Sequence, residues 1–259
     1  MMNTDCVDMD VESEVETGVG FYLEFKLNKN EIELAKFLIR EQWLSTIKKH
    51  YPAYFHQFSK IEIEQYHTLA HLVDHGFLWT KPNRIFSREA IATIRSMSLI
   101  KNLECAYGPV LIVDEENIGY EEIAWRIVRP HQSLDVGPMH ADDWFLQLGH
   151  GVAPPPGMKA IKVWVALCCE PGLNGLKVVR DSHKKTWRYH GEFRHGFIKP
   201  QFDENEDDLN VELLNTKAGD VVIFNDKLLH AGAINRGRCC RISMEFMLFV
   251  PNVEVLNAE

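Results

Sequence analysis

His140-Ala141-Asp142, the distant His230, and Arg241-Ile242-Ser243 just beyond it are the residues of this chain best suited to do chemistry. Two imidazoles and one carboxylate can bind one face of Fe(II) and leave the opposite face open for substrate and oxygen. On an extended strand side chains alternate with period two, so His140 and Asp142 are expected to share a face. His230 must then come from another strand folded back beside the first. Arg241 and Ser243 are also an i, i+2 pair, and a cationic fork beside a hydroxyl can meet a carboxylate. The combination suits an iron site that holds a dicarboxylate such as 2-oxoglutarate.

Each of these residues has a rival nearby. Asp143 is the competing carboxylate, but as the third residue after His140 it would leave the shared face. Arg236 and Arg238 compete with Arg241, yet they fall in the turn-like Asn235-Arg236-Gly237-Arg238, where arginines are usually exposed. Arg241 instead begins an alternating strand, with Arg241, Ser243 and Glu245 on one face and Cys240, Ile242, Met244 and Phe246 on the other. Three polar residues facing the interior of a small barrel are costly unless they serve a site. Arg126, on the strand before the His-x-Asp segment, is a further candidate to bind the co-substrate, and its neighbour Arg129 points elsewhere or lies past a kink at Pro130. Trp164 is a candidate pocket wall.

Two other patterns invite a chemical reading. Lys184, Lys185, Arg188, His190, Arg194 and His195 concentrate positive charge, with Trp187 and Tyr189 among them. They read either as a solvated loop or as a cover over the pocket that favours an anionic substrate. His67, His71 and His75 recur four apart in a helical stretch, but no His-Glu-x-x-His or cysteine completes a zinc motif there.

The elements that must position these groups fall into two blocks. Residues 1–18 are acidic with little apolar patterning and read as a disordered tail ahead of a single domain over 19–259. Phe21–Leu27 alternates as a strand does. Asn30 with Glu33 reads as a capping box, opening a helix with Ile32, Ala35, Ile39, Trp43 and Ile47 on one face and an end near Tyr51-Pro52. Further helices are expected over Ile61–Asp74 and from Ser87 to Ala106. From Val110 onward short β-rich runs take over: Leu111–Val113, Ile123–Val128, Ala160–Leu167, Gly175–Val179, Val221–Phe224 and Cys239–Phe249. Helices followed by many strands predict an α+β fold, a double-stranded β-helix (cupin-type jelly roll) buttressed by N-terminal helices. Glu204–Asp208 is a solvated charge run at a loop tip.

Three stretches of the sequence, Val136–Trp144, Val163–Lys184 and Gly219–Arg241, resemble the phytanoyl-CoA dioxygenase family of Fe(II)/2-oxoglutarate oxygenases, in the family's order. The resemblance runs from about Gly20 to Phe249. It implies that His140, Asp142 and His230 bind the iron and that Arg241, eleven residues after His230, binds the far carboxylate of 2-oxoglutarate. It implies a dioxygenase that consumes molecular oxygen and releases succinate and CO2 while hydroxylating a small metabolite. The family's Pro-Gly-Ser-His turn reads Arg180-Asp181-Ser182-His183 here. That departure concerns the turn and not the metal site. An aspartate at 142 also argues against a halogenase, which would carry a small residue there to admit halide.

Composition narrows the remaining choices. At 259 residues, 46% hydrophobic and 25% charged, the chain can bury one sizeable core. A formal net charge of −9 argues against a nucleic-acid surface, which needs a basic stripe. No apolar run approaches the ~20 residues of a membrane helix, and the acidic N-terminus lacks the pattern of a signal peptide. A cytoplasmic protein is expected. Cys6, Cys105, Cys168, Cys169, Cys239 and Cys240 have neither zinc-ribbon nor disulfide-framework spacing and read as reduced thiols. The alternatives are a cupin-fold metal-dependent isomerase or hydrolase that does not use 2-oxoglutarate, or a non-catalytic binding domain.

Overall fold

Two valines four residues apart are enough to dock the first helix. In the computed structural model, which describes residues 11–194 and 197–252, α1 (Val11–Glu16) buries Val11 and Val15 completely in the main core. The disordered tail expected over residues 1–18 therefore does not extend to 11–18; residues 1–10 lie outside the described residues. After the short strand β1 (Phe21–Tyr22) comes α2 (Lys29–His50). Its cap is Asn28, not Asn30: Glu31 N donates to Asn28 Oδ1 at 3.1 Å and Asn28 N donates to Glu31 Oε2 at 3.0 Å. The sequence reads Asn-x-x-Glu in both registers. Glu31 decides between them because its carboxylate also accepts from Ser98 N and Ser98 Oγ.

The helix expected over Ile61–Asp74 is instead two 3-10 segments, Ile63–Thr68 and Ala70–Leu72. Ile63 and Tyr66, the buried residues of the first, are three apart, which matches a three-residue turn. Tyr66 packs edge-on against Trp43 and Trp79. The single-turn helices α3 (Phe55–Phe58), α4 (His75–Leu78) and α5 (Lys81–Arg84) surround this aromatic cluster. The helix expected from Ser87 begins there, with Ala90 N donating to Ser87 Oγ. It then breaks into α6 (Arg88–Arg95) and α7 (Ser98–Tyr107), because Met97 is extended and buried between them. The three histidines at four-residue spacing consequently lie on three separate elements rather than one face.

The second half is built of strands β2 (Leu111–Ile112), β3 (Ala124–Val128), β4 (Met158–Cys168), β5 (Leu176–Val179), β6 (Tyr189–Arg194), β7 (Phe197–Phe202), β8 (Val211–Leu213), β9 (Val221–Asn225), β10 (His230–Gly232) and β11 (Arg241–Pro251). A larger antiparallel sheet runs β1-β9-β4-β11-β2, with β3 also on β11, and a smaller one runs β10-β5-β8. Alternation assigns the faces. Ile161, Val163, Val165, Ile242, Met244 and Phe246 turn toward the helices and join Ile39, Trp43, Ile47 and Leu103 in the main core. Trp164, Ala166, Val222 and Phe224 turn the other way and meet Leu176 and Val178 of the smaller sheet. This is the expected jelly roll with its helical buttress, and its inner space is where polar residues need a reason to be. Among the cysteines, Cys168, Cys169, Cys239 and Cys240 are free. Cys105 is disulfide-bonded, against the reading of reduced thiols throughout.

Candidate active site

A reciprocal backbone pair brings the two histidines together. His140 N donates to His230 O at 3.1 Å and His230 N donates to His140 O at 2.9 Å, an isolated bridge beyond the regular ladders. The ring centroids lie 4.4 Å apart. Asp142 arrives differently from the strand-face expectation. Its backbone is already helical (φ −67°, ψ −35°), one residue ahead of α8 (Asp143–Gln147). The chain leaves the bridge at His140 and turns at once, held by Asp143 N donating to Asp226 O at 3.0 Å and by buried Trp144. This corner, not strand alternation, carries the carboxylate to the histidines. His140 Nε2 is 3.8 Å from Asp142 Oδ1, and His230 Nε2 is 3.8 Å from Asp142 Oδ2. One donor atom from each side chain fits within a 4.8 Å cluster. Asp143 bonds Gln147 instead.

The protonation pattern suits ligation. His140 Nδ1 lies 2.9 Å from Pro138 O, and His230 Nδ1 lies 3.0 Å from Leu228 O. A carbonyl only accepts, so each Nδ1 carries the proton and each Nε2 offers a lone pair to the shared space. Burial and the nearby His230 push the His140 imidazole down to about 4, which keeps it neutral. Burial alone would raise the Asp142 carboxyl. Positive charge around it, the Lys162 ammonium first, outweighs burial and holds the group below its ordinary value.

On the inner face of β11, Arg241 is 2% exposed and Ser243 is fully buried. The Arg241 guanidinium carbon sits 5.7 Å over the Trp164 ring. No carboxylate among the described residues pairs with Arg241, and burial lowers its pKa. Arg236 and Arg238, by contrast, are exposed. Arg126 is the register partner of Ser243 and opens onto the same space, but its Nε donates to Glu245 Oε1 at 2.7 Å. Arg129 is occupied by Asp135 through contacts at 2.7–2.9 Å.

Buried polar atoms without a partner gather here: Asp142 Oδ2, Arg241 Nε and Ser243 Oγ. Native interiors leave few such atoms. A carboxylate oxygen and two imidazole nitrogens, together with an unpaired buried guanidinium and a hydroxyl on the inner face of β11, fit a divalent metal and an anionic co-ligand. Sequence reasoning missed Lys162, whose Nζ is 4.0 Å from Asp142 Oδ2. The signal was present, since a lysine two before Trp164 within an apolar run of the strand must face the same interior. It also missed Phe224, whose ring is 4.6 Å from that of His230.

The basic segment from Lys184 to His195 runs into the β6–β7 hairpin, with His195 outside the described residues. Tyr189 stacks on Trp144 at 4.4 Å, so the hairpin braces the helix that follows Asp142. Much of the positive charge is already matched: Lys184 meets Asp181 at 2.6 Å, His190 meets Asp203 at 2.6 Å and Arg188 meets Glu204 at 3.6 Å. Of the histidine stripe, His67 Nδ1 is 3.5 Å from Cys240 Sγ and His75 bonds Tyr66 Oη at 3.2 Å, away from the triad.

A jelly roll carrying two histidines, one aspartate and an unpaired inner arginine defines the non-haem iron, 2-oxoglutarate-dependent class of oxygenase. The sequence model described as Phytanoyl-CoA dioxygenase (PhyH) matches residues 78–243, and the chain belongs to that family. Fe(II) and 2-oxoglutarate are the cofactor and co-substrate of the class. No curated protein matches the chain. Solved structures with a similar fold include the non-heme monooxygenase ThoJ in its apo form (TM-score 0.54, 16% identity, 93% of this chain and 76% of that one). EctD from S. alaskensis with 2-oxoglutarate and 5-hydroxyectoine is similar at TM-score 0.57 and 14% identity, over 96% of this chain and 78% of that one. The non-heme alpha ketoglutarate dependent carbocyclase SnoK from nogalamycin biosynthesis is similar at 0.56 and 14%, over 96% and 88%. At such identities the likeness bears on the fold. Among the described residues no helix is long and apolar enough to cross a membrane.

Proposed function

We propose that the protein hydroxylates a small anionic metabolite, with His140, Asp142 and His230 as the iron ligands and Arg241, assisted by Ser243, as the anchor of the distal carboxylate of 2-oxoglutarate. The observation that carries this reading is the unpaired Arg241, 2% exposed, with a guanidinium nitrogen 3.5 Å from where a Cβ on Gly232, two residues beyond His230, would stand. A buried guanidinium without a counter-ion is costly, and a dicarboxylate bound there removes that cost. When bound, Fe(II) supplies the chemistry that couples oxidative decarboxylation of 2-oxoglutarate to insertion of one oxygen atom into a substrate C–H bond, giving succinate and CO2.

The remaining work belongs to the chain. The Pro138 and Leu228 carbonyls fix the imidazole tautomers. Trp164 supports the guanidinium plane from one side. Val178, Leu176 and Phe224 keep the inner space poor in water, which strengthens each of these electrostatic contacts. Trp164 therefore serves the co-substrate indirectly. Arg126, tied to Glu245 yet with 42% of its side chain exposed, fits the mouth of the site better than the oxoglutarate itself.

An anionic substrate is supported at that mouth. Burial, followed by the charges of Arg194, Arg126 and Arg84, holds the Lys199 ammonium below its ordinary value, so like charges around it repel it. An incoming carboxylate or phosphate would relieve that repulsion. Anaerobic addition of Fe(II) and 2-oxoglutarate is expected to give a visible charge-transfer band, and succinate release across a metabolite library should favour anions. In the Arg194→Gln, Lys199→Gln double variant, substrate-stimulated turnover should fall at least tenfold while slow uncoupled turnover stays. A preferred substrate that is neutral, with turnover indifferent to this variant, would sink the anionic part. Absence of the band and of succinate would sink the whole reading.

A further inference from the structure

Lys162 is only 8% exposed on the central strand of the larger sheet. Its strand neighbours on the inner face, Trp164 and Ala166, are packed apolar residues. An ion pair buried in such a place is often less stabilising than a hydrophobic residue of the same size. Stability therefore gives little reason for a cation here, and its contacts give a better one. Nζ lies 3.1 and 3.3 Å from the two oxygens of Glu115 and 4.0 Å from Asp142 Oδ2. Among the described residues no other lysine or arginine lies within ion-pair distance of Asp142.

Glu115 is itself held from outside by Lys81 at 3.6 Å, which also meets Glu116 at 2.7 Å and Glu122 at 2.9 Å. A chain of alternating charge thus leads from the surface through Glu115 and Lys162 to the triad carboxylate.

We propose that Lys162 is a positioning residue for Asp142. Its ammonium, braced by Glu115, attracts Oδ2 and so fixes the rotation of a carboxylate whose Oδ1 lies 3.8 Å from His140 Nε2 and whose Oδ2 lies 3.8 Å from His230 Nε2. A carboxylate on a helix-starting corner has rotational freedom that a strand residue packed on both sides lacks, and Oδ2 has no hydrogen-bond donor of its own. Groups that orient a metal ligand typically carry 10–100-fold in metal affinity. The inference rests on the reading of the triad as the metal site.

The test is Co(II) titration of the intact protein, read by calorimetry and by the visible d–d bands. Lys162→Met keeps length and removes charge. It is expected to weaken Co(II) binding about tenfold or more and to change the band intensities, because the freed carboxylate can engage through both oxygens. Lys162→Arg should restore most of the affinity and the parent spectrum. Glu115→Gln, which keeps the side chain's shape and removes its charge, should move both readouts the same way by a smaller factor, and it covers the case in which Lys162→Met does not fold. Simple removal of a positive charge near a cation site would tighten binding. Tighter or unchanged binding in Lys162→Met with an unchanged spectrum overturns the proposal, as does a silent Glu115→Gln if Lys162→Met is unfolded. If the parent binds no Co(II), or His230→Ala binds it equally well, the metal reading has failed instead.

Discussion

His140, Asp142 and His230 are expected to act as a unit, since each supplies one donor atom to a cluster spanning 4.8 Å. His140→Ala, Asp142→Ala and His230→Ala should each abolish iron-dependent succinate formation while leaving the thermal melt close to that of the parent, because the core lies elsewhere. Near-native turnover in any one of them would remove that residue from the ligand set. Arg241→Ala should raise the 2-oxoglutarate requirement with little effect on Fe(II) binding. Losing one partner of a buried charge pair costs about 2–5 kcal/mol, which is roughly thirtyfold or more in affinity. Arg236→Ala and Arg238→Ala are the controls, both at exposed positions. An equal effect from Arg238→Ala would identify the wrong arginine.

The elements that carry these residues meet at turns, and the turns have their own requirements. Gly219 precedes β9 with φ +95°, a region that other L-residues rarely adopt. A Cβ there would lie 2.8 Å from Ile32 Cδ1 and 3.0 Å from Leu27 O, so the turn, α2 and the residues after β1 are packed without slack. Gly219→Ala is expected to destabilise the protein by more than about 1 kcal/mol, read as a lower denaturant midpoint at unchanged slope. An unchanged midpoint would mean that the turn can relax. The same tightness on the other side of the site comes from the β6–β7 hairpin, whose Tyr189 and Phe202 stack with Trp144 directly behind Asp142.

At the scale of the whole molecule, His75 ties the helical buttress to the loop ahead of the triad. It bonds Tyr66 Oη at 3.2 Å and lies 3.4 Å from Asp135, the carboxylate that also holds Arg129. Burial, with Arg129 and Arg84 adding to it against Asp135, pushes the imidazole down from 6.5 to about 4. Between those values the unfolded chain binds a proton that the folded chain refuses, so this group makes the folded state lose stability as pH falls through the window. His75→Gln cannot titrate. Relative to the parent it should gain stability steadily from pH 6.5 to 4, measured by denaturant unfolding. A constant difference would mean that His75 titrates alike in the folded and unfolded chains.

The sequence by itself determined the chemistry and most of the strands. Residue type and period two sufficed to put Arg241, Ser243 and Glu245 on the inner face of β11 and Ile242, Met244 and Phe246 on the helix side, because alternation is a local property of an extended chain. The N-terminal helices were legible as apolar spacing, but not their caps and breaks. Asn28 and Asn30 offer the same motif, and only the contact of Glu31 with Ser98 selects one. The approach to Asp142 was decided by tertiary structure alone. The bridge between His140 and His230 and the bond from Asp143 to Asp226 turn the chain into a corner that no local pattern announces. Charge pairing was equally invisible. The basic segment reads as an anion trap in sequence, yet Asp181, Asp203 and Glu204 fold back onto it. Lys162 reads as one lysine among many until Glu115 and Asp142 are brought to either side of it. A side chain's own character is fixed by the sequence, whereas its partners are set by contacts between residues far apart in the chain.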